Sequence, residues 1–362
     1  MNLLFLCKRH PQQRDLLTRP HGRFYWLPTE LAARGHDVQV ALLSHRRLSS
    51  EKHSNGGVSW FSDDLFRAGP GGYWKRLLGL TKSRRIDWVI GCSDLYYGIL
   101  AARLARIIQA RVAIDAYDNF ESYMPFATPL HRAWRRALAH ADLVTAAGPQ
   151  LADFLSVAHA RPVQILPMTA DPAFAPAPRA ECRRSLELPG SLELIGHCGS
   201  FTRTRGSRVV LDAFERVQAR RPAARLVLSG RHPADLARRD GILSVGMVPD
   251  MSMPSLVGSL NVACVPSTET AFGRYSYPVK LCEAIACGVP IVASATGPAR
   301  WMLHENPLYL ARVGDADDMA QKIIAQLDAP QPRYPALPGW PKLARHYESL
   351  LAERAAKSAT AS

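Results

Sequence analysis

The sequence predicts an α/β protein with two doubly wound, Rossmann-like domains. Short apolar runs alternate with helix-length stretches, which is typical of βαβ units around a parallel sheet. Two such series follow one another along the 362 residues, and a proline-rich stretch separates them. A chain of this length can bury a core in each of two domains.

Five apolar runs in the first half of the chain predict buried strands, and helices are predicted between them at 25–34 and 132–140. These runs are 3–6, 38–42, 88–90, 112–114 and 143–146. The second half repeats the pattern, with helices predicted at 209–220 and 279–286. Its apolar runs are 194–197, 225–228, 262–265 and 291–293.

Proline-rich stretches indicate the domain boundaries, because proline locks φ and blocks regular elements. Residues 167–189 form the first of these stretches. We therefore predict a linker there, with one domain over 1–172 and another over 173–330. Residues 331–354 are expected to be a separate segment that ends in a helix, and residues 355–362 a disordered tail.

Composition excludes several classes of protein. The seven cysteines are scattered and contain no C-x-x-C, which argues against a disulfide framework or a zinc site and favours the reducing cytoplasm. The N-terminal apolar run is too short for a signal peptide. Arginines interrupt the best membrane-span candidate, at 99–114, so we expect no membrane span.

The net charge of +14 should attract anions such as phosphates or anionic lipid. Residues 1–172 carry 22 basic and 14 acidic side chains, or +8, and the remaining residues carry 23 and 17, or +6. Because the charge is divided between both halves, it does not indicate a single nucleic-acid groove. We expect no nucleic-acid partner.

The most informative segment, residues 272–294, reads FGRYSYPVKLCEAIACGVPIVAS. A loop ends at Pro278, a favoured first helical position, so the helix that follows has a positive dipole end suited to a diphosphate. One turn into this helix, Glu283 could accept hydrogen bonds from ribose hydroxyls, with Lys280 one turn before it. The alternative is a solvated i, i+3 ion pair on a surface helix.

This segment resembles the donor-binding signature of family 4 glycosyltransferases in its variant P-x-K-L-x-E-x-x-A-x-G-x-P-[IV]-V-A. The family consists of retaining enzymes of the GT-B fold, in which two Rossmann-like domains face each other across a cleft. The resemblance implies that a nucleotide-sugar binds the second domain, with Glu283 on the ribose and Lys280 near the diphosphate. It also implies that the closing helix within 331–354 crosses back to the first domain.

A second loop, 199–206, is similar to the family's G-R-x-x-x-x-K-G loop. Here Arg205 replaces the family's lysine and can hold the leaving diphosphate with its bidentate fork. Ser200 replaces an arginine, a contact that Arg203 could supply instead, and Gly199 begins the loop. The alternative is a basic loop that only caps the next helix.

Three further positions of the donor-binding region, Tyr275, Ser276 and Tyr277, lie in the loop before the signature helix. The backbone near Val248 is expected to recognise the base. The family often has a first glutamate in the signature that contacts the donor sugar, and here Tyr275, Thr270 or Glu269 could stand in its place.

In the first half the resemblance is looser. Gly22 lies in a segment similar to the family's glycine loop, where backbone could approach the donor phosphate or the acceptor closely. Asp118 follows the run 112–114, where relatives place a residue that faces the reacting sugar, and could orient the acceptor hydroxyl or take its proton. Alternatively, Asp118 caps a helix or pairs with an arginine.

Two other patterns are weaker evidence of a functional site. Asp315 and Asp317 have D-x-D spacing, but an amphipathic helix follows directly, so we interpret Asp317 or Asp318 as its N-cap and predict no metal. Residues 73–85 mix aromatics, leucines and cations as an interfacial helix does, which would suit an anionic membrane. The alternative is a helix that packs Trp74 and its leucines Leu77, Leu78 and Leu80 into the sheet.

The sequence thus predicts a metal-independent, retaining glycosyltransferase that moves a sugar from a nucleotide-sugar, with UDP or GDP expected, to a hydroxyl acceptor. By resemblance the acceptor is a glycan or lipid-linked molecule of bacterial envelope polysaccharide or glycolipid assembly, at the cytoplasmic face of the membrane. The alternative is a non-catalytic GT-B protein that binds nucleotide or a partner glycosyltransferase. An oxidoreductase is disfavoured because G-x-G-x-x-G is absent after either first strand.

Overall fold

The computed structural model describes residues 1–82, 84–202 and 205–359. The chain divides into two compact units, which we call the first unit (Met1–Pro167 with Pro338–Ser362) and the second unit (Met168–Leu337). The division falls a few residues before the expected boundary at 172 and a few residues after that at 330.

The first unit is built on one sheet. Its strands are β1 (Asn2–Lys8), β2 (Asp37–Ser44), β3 (Glu51–Asn55), β4 (Val58–Asp64), β5 (Trp88–Cys92), β6 (Arg111–Ala116), β7 (Leu143–Ala146) and β8 (Gln164–Ile165). Its helices are α1 (Arg23–Ala33), α2 (Leu65–Lys82), α3 (Leu95–Ile108), α4 (Thr128–His140), α5 (Pro149–Ser156) and α12 (Trp340–Ala359). The strand order is β3-β4-β2-β1-β5-β6-β7-β8, and the described pairings are parallel except that of β3 with β4.

The central strands of this sheet are continuous apolar runs. β1 is buried over five consecutive residues, and continuous burial is typical of parallel strands that helices cover on both faces. The same core includes Trp340 and Tyr347 of α12, so the last helix completes the core of the first unit.

The antiparallel hairpin β3–β4 at the sheet edge is absent from the sequence prediction. β3 is polar and exposed along nearly its whole length, so it lacks the apolar pattern of a buried strand. The turn between the strands, Asn55-Gly56-Gly57, was a usable signal. Both glycines have positive φ, 59° and 74°, as the type I′ hairpin turn requires.

Helix α12 continues to Ala359, so the expected disordered tail is wrong for residues 355–359. The guanidinium of Arg111 donates a hydrogen bond to the Ala355 carbonyl oxygen (3.2 Å). This contact attaches the C-terminal part of α12 to β6 of the same unit.

The second unit is built on a six-stranded parallel sheet. Its strands are β9 (Glu193–Cys198), β10 (Ala224–Ser229), β11 (Ile242–Gly246), β12 (Val262–Val265), β13 (Ile291–Ser294) and β14 (Leu310–Ala311), in the order β11-β10-β9-β12-β13-β14. Its helices are α6 (Arg179–Ser185), α7 (Ser207–Arg220), α8 (Met253–Gly258), α9 (Val279–Ala286), α10 (Gly297–Met302) and α11 (Ala316–Asp328). Both sheets therefore agree with the predicted α/β class.

Helix α6 contradicts the expectation that residues 167–189 contain no regular element. The helix begins directly after Pro178, which takes the N-cap position and so does not interrupt the helical hydrogen bonds. Arg183 of this helix is buried and donates to the Ser259 carbonyl oxygen (2.9 Å) and to Asn261 Oδ1 (2.6 Å). These contacts attach α6 to the second unit.

A buried ion pair joins α1 to the sheet of the first unit. The Arg23 guanidinium donates to both carboxylate oxygens of Asp115 on β6 (2.6 and 2.8 Å) and to the Leu166 carbonyl oxygen (2.8 Å). The Thr145 hydroxyl on β7 donates to the same carboxylate (2.6 Å). Both charged side chains are almost fully buried, so each depends on the other for compensation.

We predict that Asp115→Ala lowers the free energy of unfolding by about 3–5 kcal/mol, because it leaves the Arg23 charge buried and uncompensated. Denaturant unfolding of the full chain measures this loss. The matched control is Asp317→Ala, which removes an exposed ion pair with Arg216 and should change stability by less than about 1 kcal/mol. Equal effects of the two substitutions would contradict the prediction.

Candidate functional site

The signature helix α9 carries an ion pair at its N-terminal end. The sequence predicts Pro278 as the first helical residue, but Pro278 is the N-cap residue that precedes the helix. Within α9, the Nζ atom of Lys280 lies 2.9 Å from the Oε2 atom of Glu283, which is one turn further along the helix. The i, i+3 ion pair of the alternative interpretation is therefore present, but it is only partly solvated, since the Lys280 side chain is 34% exposed and that of Glu283 is 8% exposed. The carboxylate is held by its cation inside the protein.

A buried histidine, His197, contacts the loop after β9 through Ser207. It is not among the site residues predicted from the sequence. His197 Nε2 lies 3.0 Å from Ser207 Oγ, which accepts a hydrogen bond from the Thr202 N–H (3.1 Å). Burial, followed by the positive charges of Arg205 and Lys280, lowers the pKa of His197 to about 4. The ring is therefore neutral at pH 7. A histidine at the end of a buried strand, ten residues before a serine, was the only signal in the sequence.

Because their charges both act on His197, Arg205 and Lys280 lie in one region of the second unit. Arg205 is exposed, and its guanidinium lies over the Phe272 ring at 5.7 Å. Gly199 has a φ of 146° with open space where a Cβ would lie, which leaves room for a ligand near the backbone. Arg203 lies outside the described residues.

The neighbouring thiol Cys198 stays protonated. Burial raises its pKa to about 11, against the influence of the Lys280 ammonium. Among the described residues, the charged side chains that act on His197 or Cys198 are those of Arg205, Lys280 and Glu283.

The loop before α9 is tightly folded. A Cβ on Gly273 would lie 1.9 Å from the Thr268 carbonyl oxygen, so only glycine fits. Tyr275 and Ser276 are half-buried. Tyr277 is buried, and its ring packs edge-on against Trp301 at 5.7 Å, so this ring serves the core.

Two of the three candidates for the family's first glutamate, Glu269 and Thr270, have local partners. Glu269 forms an exposed ion pair with Arg274 (3.3 Å). The Thr270 hydroxyl accepts a hydrogen bond from the Gly273 N–H (3.2 Å). Val248, the expected base-recognition position, is half-buried and packs against the core after β11.

In the first unit, Asp118 is buried and accepts a hydrogen bond from the Tyr123 hydroxyl (2.8 Å). Burial and the Asp118 charge raise the pKa of Tyr123 well above its usual value, so the phenol remains a donor. The neighbouring Asn119, not Asp118, caps the short 3-10 turn that follows. Gly22 is the N-cap of α1 with φ 62°, and nothing lies within 4 Å of its Cβ position.

The D-x-D pattern is a helix cap, but at a different residue from the one expected. The Asp315 side chain, not Asp317 or Asp318, caps α11 by accepting the Asp318 N–H (2.9 Å).

The segment 73–85, described except for Ser83, buries only part of its apolar side chains. Tyr73 and Leu77 are buried, whereas Trp74, Leu78 and Leu80 are half-buried. The Arg103 guanidinium lies over the Trp74 ring at 5.3 Å. Among the described residues, none of the helices is long and apolar enough to cross a bilayer.

Comparison with protein families covers both units. A family described as "Glycosyl transferases group 1" matches residues 193–329, within the second unit. A family described as "Glycosyl transferase 4-like domain" matches residues 21–169, nearly all within the first unit. The chain belongs to the GT4-like, group 1 glycosyltransferases.

Curated relatives of this glycosyltransferase are distant. A D-inositol 3-phosphate glycosyltransferase of Mycolicibacterium paratuberculosis is 27% identical over 201 residues, which cover 51% of this chain and 44% of the relative. A phosphatidyl-myo-inositol mannosyltransferase of Mycobacterium tuberculosis is 32% identical over 135 residues, 34% of this chain and 35% of the relative. The matches thus span less than half the length of these relatives.

Solved structures share the fold along the whole glycosyltransferase. Sucrose-phosphate synthase from Thermosynechococcus elongatus has a TM-score of 0.74 at 17% identity, covering 99% of both chains. Anabaena HepE, solved with UDP-glucose, has a TM-score of 0.68 at 16% identity, covering 98% of this chain and 95% of HepE. The fold is therefore GT-B, as the sequence predicts.

Because the folded state keeps His197 neutral, the free energy of unfolding should depend on pH. In the unfolded chain a histidine has a pKa of about 6.5, so between pH 6.5 and 4 the unfolded state binds more protons than the folded state. The ring's contribution to stability is complete above about pH 6.5 and is lost as the pH falls toward 4. We expect His197→Asn to remove this part of the fall in the urea midpoint between pH 7.5 and pH 5.

Ser207→Ala is the matched control, because burial and not the serine hydroxyl is the main cause of the lowered pKa. It should keep most of the pH dependence. An unchanged pH dependence in His197→Asn would rule out this role for the ring.

Proposed function

We propose that this chain transfers a sugar from a nucleotide-sugar to a hydroxyl acceptor with retention of configuration. The observation that carries the proposal is the Lys280–Glu283 pair at the start of α9, with the glutamate buried at 2.9 Å from its cation. The two oxygens of a carboxylate can accept hydrogen bonds from both hydroxyl groups of a diol such as ribose. The family signature around it supports the same role.

We propose that the cations of the second unit bind the departing diphosphate. Arg205 and Lys280 lie in one region around the neutral His197, and Arg203 belongs to the same loop of the sequence. Preorganised cations and the N-terminus of α9 stabilise the charge that develops on the leaving group. We therefore propose that a divalent metal is not needed. We also propose donor contacts at Gly199, Tyr275, Ser276 and Val248, and at the backbone of Tyr277, whose ring packs in the core.

On the acceptor side we propose Asp118 and the loop around Gly22, in the first unit. The Asp118 carboxylate is buried and oriented by the Tyr123 hydroxyl. A carboxylate held in this way can orient an acceptor hydroxyl or take its proton.

The proposed pathway is bacterial envelope polysaccharide or glycolipid assembly. The names of the curated relatives, an inositol phosphate glycosyltransferase and a phosphatidylinositol mannosyltransferase, support an acceptor of this kind. We further propose that segment 73–85 contacts anionic lipid at the cytoplasmic face. Its support is the half-buried Trp74 with Lys75 and Arg76 exposed beside it, and co-sedimentation with anionic vesicles is its test.

A nucleotide-binding protein without turnover is the second candidate. The ion pair of Glu269 with Arg274 favours it, because a paired glutamate is less available to hold the donor sugar. This candidate predicts nucleotide binding in every assay and no transfer with any acceptor.

We predict that one of UDP, GDP, ADP or dTDP stabilises the wild-type chain without metal, by about 2.7 kcal/mol at 100 times its dissociation constant. Thermal unfolding with EDTA present measures the shift. Glu283→Gln, which keeps the side-chain volume, should lose most of it because the neutral amide forms no ion pair with Lys280 and offers a diol one acceptor oxygen instead of two.

Glu215→Ala is the matched control, since Glu215 is exposed on α7 and pairs with Arg239. It should bind the nucleotide like the wild type. No shift with any nucleoside diphosphate would refute the donor site, and a shift with NAD alone would indicate oxidoreductase chemistry.

For Asp118→Asn we predict at least about a 10²-fold loss of kcat, the size typical of a lost proton acceptor. Nucleotide binding by thermal shift should be unchanged. Tyr123→Phe removes only the supporting hydrogen bond and should cost less. Full turnover in Asp118→Asn would exclude this residue from the reaction.

A further inference from the structure

Exposed aromatic rings lie close to Asp118, the residue proposed to act on the acceptor. β5 and β6 are parallel neighbours, so the segments that follow them, 93–100 and 117–127, begin at the same edge of the sheet. Open α/β sheets bind their ligands at this edge. Three aromatic side chains of the two segments are exposed to solvent: Tyr96 (44%), Tyr123 (38%) and Phe126 (93%). We call these three residues the aromatic edge.

Hydrogen bonds hold two rings of the aromatic edge in place. The Tyr123 hydroxyl donates to the Asp118 carboxylate (2.8 Å), and the Tyr123 ring packs against that of Phe120 at 5.9 Å. The Tyr96 hydroxyl donates to the Met124 sulfur (3.3 Å), which joins the two segments directly. Because both hydroxyls have partners within the chain, the two tyrosines offer a ligand chiefly their rings.

The same two segments carry negative charge. They contain Asp94, Asp118 and Glu121 but neither lysine nor arginine. Among the described contacts, Asp94 is paired with Lys8 (3.2 Å). Glu121 is paired with Arg135 (2.7 Å). This lysine and this arginine are therefore already neutralised by carboxylates.

Two buried hydroxyls respond to this negative charge. Burial and then the charge of Asp118 raise the pKa of Tyr117 well above its usual value, and Asp94 acts in the same direction. Burial and then Asp118 likewise raise the pKa of Tyr123. A phosphate or carboxylate on a ligand would be repelled at this position, whereas an uncharged ligand would not.

From this arrangement we propose that the aromatic edge binds an uncharged sugar ring of the acceptor, stacked on the exposed rings with one hydroxyl at Asp118. This inference rests on the proposed function and deepens it by naming the acceptor class, a sugar without phosphate at the reacting end. A pyranose has C–H groups on its faces and hydroxyl groups around its rim. The negative face of an aromatic ring attracts the C–H groups, while a carboxylate accepts from the hydroxyl.

Other ligand classes fit this edge less well. A fatty-acyl chain could cover the rings but has no hydroxyl group for Asp118. A phosphorylated polyol has hydroxyl groups but brings its charge to a group of carboxylates.

The test uses the full chain with an excess of UDP, GDP, ADP or dTDP, whichever stabilises it, so that the donor site is filled. The probes are the methyl glycosides of glucose, galactose, mannose, rhamnose and N-acetylglucosamine. Glucose 6-phosphate and mannose 6-phosphate are the anionic comparators. Saturation-transfer difference NMR, with irradiation of the aromatic protons, detects sugar C–H groups that lie against rings, and titration gives the dissociation constants.

The variants separate the ring from its hydroxyl. Tyr96→Leu and Phe126→Leu remove a ring and keep an apolar side chain. Tyr96→Phe keeps the ring and loses only the hydrogen bond to Met124. The matched control is Phe66→Leu, because Phe66 is an exposed ring (63%) that follows β4, and β2 and β1 lie between β4 and β5 in the sheet.

We expect at least one methyl glycoside to bind the wild type, with saturation reaching its ring C–H protons. Tyr96→Leu and Phe126→Leu should each weaken this binding about three- to ten-fold, the range expected of one aromatic contact. Tyr96→Phe and the control should bind like the wild type, and the phosphorylated sugars should bind more weakly than the uncharged ones. Weaker binding in only one leucine variant still supports a sugar at this edge.

Equal binding of the glycosides by all these proteins, or none, with the nucleoside diphosphate bound normally would overturn the inference and leave the donor site standing. Tighter binding of the phosphorylated sugars would overturn it as well. So would anionic vesicles that bind the wild type and not the leucine variants while no glycoside binds, because the rings would then contact a membrane. Failure of every nucleoside diphosphate to bind would instead refute the proposed function.

Discussion

Parallel strand pairing is the constraint on which both units depend. Parallel strands need crossover connections, and they bring the ends of all strands to one edge of the sheet. In the second unit this edge gathers the loops after β9 and β12, with His197 and Lys280 close enough to interact. In the first unit it gathers the loops after β1, β2, β5 and β6. Backbone pairing of the strands therefore makes neighbours of residues that are far apart in sequence.

Protonation states then decide what each edge can bind. In the second unit burial keeps His197 neutral and the Cys198 thiol protonated, so the charge there comes from Arg205, Lys280 and Glu283. Among the described residues, a carboxylate lies with the cations Arg205 and Lys280, a combination that suits a ligand with both hydroxyl groups and negative charge. In the first unit the buried acids Asp64 and Asp94 accept backbone N–H groups, and Asp94 also pairs with Lys8.

Local signals predicted the elements that agree most closely with the structure. The expected strand 143–146 and helix 279–286 coincide with β7 and α9, because apolar runs and flanking proline are encoded within a few residues. The i, i+3 spacing likewise predicted the contact between Lys280 and Glu283. By contrast, β3 is stabilised by its neighbour and not by its own pattern. The Arg23–Asp115 pair joins residues 92 positions apart, so only the fold reveals it.

The path of the chain through the first unit has a consequence for its synthesis. The core of this unit includes Trp340, Tyr347 and Leu351 of α12, whereas the second unit is the continuous stretch Met168–Leu337. On the ribosome the second unit can therefore fold as soon as it emerges. The first unit begins earlier in the chain, but part of its apolar core stays uncovered until α12 has been translated. Its folding is therefore completed after that of the second unit.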